Sequence, residues 1–123
     1  MIEPLVIEVT AEHRRLSAVV IREGEDLVVA VGGGDRPHVG CVVLATPSPG
    51  RSASSSVFTI PPHKEEAIAR PMAETIATRT GSVTVVSAGV HEDGASREAI
   101  EAWLALGRQL ADRVVEAVAA QPE

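Results

Sequence analysis

Between positions 5 and 60 the apolar residues come in short runs, not at helical spacing. Residues 5–10, 16–22, 27–31, 39–45 and 57–60 are four to seven residues long and rich in β-branched side chains, the pattern of strands set between turns. Glu23-Gly24-Glu25-Asp26 predicts a hairpin between the second and third runs, and residues 32–37 a second connection that ends in a proline. Connections this short favour antiparallel neighbours. Residues 46–56, with two prolines, a glycine and five serines, read as a solvated loop.

The period then lengthens towards 3.6. Ala67, Ile68, Met72 and Ile76 trace one side of a helix that begins near Lys64, meets Pro71, and stops at Gly81. Pro71 either kinks this helix or stands in the first turn of a new one. Residues 83–87 form a sixth strand, and residues 89–95 a loop before Ser96, a good N-cap with Glu98 and Glu101 near the positive end of the helix dipole. In the last helix Ile100, Trp103, Leu104, Gly107, Leu110, Ala111, Val114 and Val118 form one continuous stripe. The order βββββαβα implies an α+β fold, a mostly antiparallel sheet of about six strands beside two helices, as a single domain over residues 1–123. Two helices cannot cover both faces of such a sheet, so a homodimer is expected.

Composition narrows the function. Eleven Lys and Arg against seventeen Asp and Glu leave a charge of −6, and Phe58 and Trp103 are the whole aromatic inventory. A nucleic-acid partner would ask for a basic face and stacking residues, so that class is set aside. The core must be aliphatic, and at this length the fold hides roughly two-thirds of its unfolded surface without disulfides. Cys41 stands alone in an apolar run and reads as a buried structural thiol. With no disulfide pair, no signal-peptide pattern in the first residues and no long apolar span, the expectation is a cytoplasmic protein that does not enter membranes.

The densest chemical signal is Gly32-Gly33-Gly34-Asp35-Arg36-Pro37-His38-Val39-Gly40. Three glycines after a strand let backbone approach an anion, but Pro37 and the following strand deny the helix that a dinucleotide or Walker loop would open. The competing reading is a glycine turn satisfied by Asp35. His38, His63 and His91 all stand at element boundaries, where they could converge on a divalent metal, donate hydrogen bonds to a ligand, or merely cap. Lys64, with Arg36 and Arg51, could neutralise a phosphate, although three scattered cations would look the same. Residues 87–94 place small side chains at a strand end, where a ligand could lie against backbone. His13, beside Arg14 and Arg15, reads as solvated turn.

Gly-Gly-Asp-Arg-Pro-His-Val-Gly at residues 33–40, His63-Lys64-Glu65, and Ala-Gly-Val-His at residues 88–91 together resemble the prenylated-flavin chaperone (LpdD-like) family, which is related to bacterial proteasome-assembly-chaperone-like domains. The resemblance covers most of the chain. It implies a non-catalytic accessory protein that binds prenylated flavin mononucleotide and assists its delivery to, or maturation in, a UbiD-type decarboxylase. The family's motif positions fall on Gly33, Gly34, Asp35, Pro37, His38 and Gly40, on His63 and Lys64, and on Gly89 and His91. With Arg36 added for its charge, these mark the expected cofactor site, and the three histidines the expected metal ligands. Two departures stand out: Pro61-Pro62 where the family often carries glycine or an aromatic residue, and Glu92 where it commonly continues with an apolar one. Two other classes stay open, a protein-only assembly chaperone and a small histidine-metal hydrolase with Asp35 or Asp93 as base.

Overall fold

The computed structural model describes residues 3–61 and 65–121. Six strands and two helices follow in the order β1 (Leu5–Ala11), β2 (Arg14–Glu23), β3 (Asp26–Gly34), β4 (Cys41–Ser48), β5 (Arg51–Thr59), α1 (Glu66–Thr80), β6 (Thr84–His91) and α2 (Arg97–Ala120). This is the expected α+β order. The strands form one sheet in the spatial order β1-β2-β3-β6-β4-β5, in which only the β3–β6 pair is parallel.

Alternation along the strands decides which face is covered. Leu16, Ala18 and Val20 of β2, Leu27, Val29 and Val31 of β3, and Val86 and Ala88 of β6 are buried against the helices. From the other side Ile68, Met72 and Ile76 of α1 and Trp103, Leu106, Leu110 and Val114 of α2 complete the core, each large aliphatic contributing about 1.5–3 kcal/mol by leaving water. The α1 helix lies over β4, β5 and β6, and α2 over β1 and β2. The helices meet where Gly107 faces Ile68; a methyl on Gly107 would stand 3.1 Å from an Ile68 methyl.

Among the described residues no helix covers the opposite face of the sheet. Pairing aligns Val6, Val19, Ala30, Ser87, Val42 and Phe58 in one row across all six strands of that face. A parallel row holds Ile21, Val28, Val85 and Leu44. Phe58 and Val6 are 73% and 74% exposed there, large values for such side chains.

Three expectations need correction. Residues 46–56 are not a loop: β4 runs on to Ser48, a turn follows with Gly50 at φ 73°, and β5 begins at Arg51. Its serines carry no hydrophobic signal because β5 is an edge strand held by backbone pairing to β4 and by Ser55 Oγ donating to Glu74 at 2.6 Å. Residues 32–34 continue β3, and residues 89–91 continue β6, since the two strands pair in register up to Gly34 and His91. Of the two readings of Pro71, a new helix starting there is overturned, since α1 runs continuously from Glu66 to Thr80 through it.

Candidate functional site

The parallel pairing of β3 and β6 brings two carboxyl ends side by side, the place where ligands gather in sheets with parallel neighbours. From Gly34 the chain must cross the end of β6 to reach β4, and two glycines permit that crossing. Gly34 has φ 79°, and a side chain on it would collide with the His91 backbone; one on Gly89 would collide with the backbone of His38. The crossing is stitched down by Asp35 N–H donating to the His91 carbonyl at 2.6 Å and Gly40 N–H to the Ala88 carbonyl at 2.9 Å. Gly89 is therefore buried beneath the loop and offers no surface of its own to a ligand. Gly32 to Gly34 are paired residue by residue with β6, and Gly32 and Gly33 also with β2, so what they present is bare backbone, not a free anion cradle.

His38 and His91 flank this crossing. His38 Nδ1 donates to the Arg36 carbonyl at 2.9 Å, while Nε2 lies 3.1 Å from Glu65 Oε1. With Nδ1 committed to a carbonyl, Nε2 is the nitrogen that faces the Glu65 carboxyl. Glu65 is only 6% exposed, and its carbonyl receives the first amides of α1 from Ile68 and Ala69. His91 Nε2 has two competing neighbours, Asp93 Oδ1 at 2.7 Å and Arg36 Nη2 at 3.2 Å. A protonated Nε2 donates to Asp93, and a bare one accepts from Arg36, so the ring's partner follows its tautomer. Asp35 Oδ2 accepts from the Asp93 amide at 2.9 Å and closes the cluster.

Beside it an open groove of about 790 Å³ is lined by Gly32, Gly33, Gly34, Asp35, Pro37, Asp93 and Trp103, and runs down over Arg15, Ser17, Val19 and Ala30 of the uncovered sheet face. That volume lies within the range of small-molecule sites. Gly33 makes room for the indole: a methyl there would approach the Trp103 ring to 3.3 Å and the Arg15 carbonyl to 2.6 Å. Trp103 Nε1 donates to Glu92 Oε1 at 2.9 Å, and Arg14 grips the same carboxylate through Nε at 2.8 Å and Nη2 at 3.3 Å. The hydrogen bonds from Arg14, helped by Trp103, hold the Glu92 carboxyl below its usual value against the opposing effect of burial, and Arg14 is raised in turn.

The expected site residues thus divide. Gly33, Gly34 and Asp35 line the groove, Arg36, His38 and His91 form the polar cluster at its rim, and Gly89 seats the loop. His63 and Lys64 lie outside the described residues. Among the described residues no group of three His, Cys, Asp or Glu side chains is placed to hold a metal, and the expected three-histidine set includes His63, which lies outside them. Glu65, Trp103 and the Arg14–Glu92 pair were not among the candidates. Glu65 had a local signal, since it completes the His63-Lys64-Glu65 motif. Arg14 and Glu92 had none, being 78 positions apart. Their pairing accounts for Glu92 as a departure from the family pattern: the carboxylate here has two donors.

Residues 10–119 match the family described as the prenylated flavin chaperone LpdD-like domain. No curated protein matches the chain. Among solved structures, the fold is similar to a chain of a chaperone complex for yeast 20S proteasome assembly, with a TM-score of 0.55 and 13% identity over 91% of this chain and 94% of that one. At that identity the likeness is one of fold.

Proposed function

The chain belongs to the prenylated flavin chaperone LpdD-like family, and from that premise we propose that it holds prenylated flavin mononucleotide in the groove at the carboxyl ends of β3 and β6 and passes it to a UbiD-type decarboxylase. The observation that carries this reading is the groove's floor. Bare glycine backbone, with the buried Trp103 ring packed behind Gly33, gives a flat ring system a surface to lie on. Polar neighbours suit the rest of the molecule: Arg15 and Arg36 for the phosphate, together with Lys64 as the family resemblance implies, and the His91–Asp93 and His38–Glu65 pairs for the carbonyl edge of the ring. Such a protein works as a carrier and not a catalyst: it binds, shields and releases.

Trp103 is the only tryptophan in the chain, so its emission reports the groove directly. Anaerobic titration with prenylated flavin mononucleotide should quench it saturably at one flavin per chain, and absence of binding would remove the reading. Lys64→Ala should weaken binding by about 1–3 kcal/mol, the range for a lost charge-assisted hydrogen bond; equal binding would remove only the role of Lys64.

A further inference from the structure

The groove lacks a wall. Val19 and Ala30 belong both to its lining and to the central row of the uncovered sheet face, so on that side the site opens onto a broad apolar surface. We propose that a second copy of this chain packs face to face on this sheet and forms the missing wall, an inference that rests on the groove being the ligand site for its second half only.

Two observations commit the face to a second copy. The first is its charge pattern. The two apolar rows contain no ionisable side chain, and charges stand at both ends, Glu8 with Arg15 at one and Glu23 opposite Asp26 at the other. An apolar centre inside a polar rim is the anatomy of a protein interface. The second is neutrality. Each chain carries −6, so two copies avoid juxtaposing like charges when they meet through a surface whose centre carries no charge, and such a surface is its own complement in a two-fold pair.

The oligomeric state is measured first without ligand, by sedimentation at micromolar concentration. Wild type should run as a dimer, twice the 12.8 kDa chain. Leu44→Lys and Phe58→Ser, at positions 41% and 73% exposed and outside the groove lining, should keep wild-type circular dichroism and dissociate to monomers. A monomeric wild type, or variants that remain dimeric, overturns the interface whatever the protein binds. Prenylated flavin mononucleotide is then titrated anaerobically into all three. At least tenfold weaker binding to the monomeric variants is expected, and unchanged binding overturns the claim that the second copy walls the groove. A dimeric wild type that takes up no flavin leaves the interface standing and removes the ligand reading instead.

Discussion

Gly34 shows how much of the site is decided by single residues. Its left-handed φ and its contact with the His91 backbone are both closed to a side chain, so Gly34→Ala should cost about 1–3 kcal/mol or more and shift His91. Gly24, also at positive φ but with nothing within 4 Å of a would-be methyl, is the control: Gly24→Ala should lose only about 1 kcal/mol for the backbone. Comparable losses in chemical denaturation would contradict the crossing argument. Glu92 makes a second residue-scale prediction. Because its folded pKa is depressed below the unfolded value, its stabilising contribution is complete above the ordinary carboxylate range and is lost as pH falls through the depressed value. Wild type should therefore exceed Glu92→Gln in urea midpoint at pH 7 and converge on it in strong acid. A gap that stays constant with pH would mean that the Arg14 pair is not its source.

At the scale of elements, Ser96 caps α2 by accepting from the Ala99 amide at 3.1 Å. Ser96→Ala should lower stability by about 1 kcal/mol, readable as a shift of the melting curve; no shift would mean that α2 is held by packing alone. This cap and the apolar stripe behind it were legible in the sequence because a helix start and a helix face are local signals. Strands β1 to β3 were legible for the same reason, through alternation. The β5 strand was not, since an edge strand of serines is made by its partner and has no hydrophobic signature. The ends of β3 and β6 were hidden too: Gly32-Gly33-Gly34 and Gly89-Val90-His91 look like loops until each is seen to be the other's ladder. The boundary positions of His38 and His91 do fall at one end of the sheet. Their partners Arg36, Glu65 and Asp93 acquire meaning only once that crossing is built.

Over the whole molecule, the arrangement is one sheet with helices on one side, an uncovered apolar face on the other, and a groove where two carboxyl ends meet. In the role proposed for it, an acidic protein with one tryptophan and one phenylalanine would hold a flat, charged ligand loosely enough to surrender it, because most of the contact must be polar and exchangeable with another protein's. That makes transfer, more than tight binding, the central claim. The direct test is to load the chain anaerobically with prenylated flavin mononucleotide, mix it with a UbiD-type decarboxylase lacking cofactor, and follow the appearance of decarboxylation. Loaded chaperone should activate the enzyme faster or more completely than the same concentration of free cofactor. Activation no better than with free cofactor, from a chain that demonstrably carries the flavin, would contradict the account.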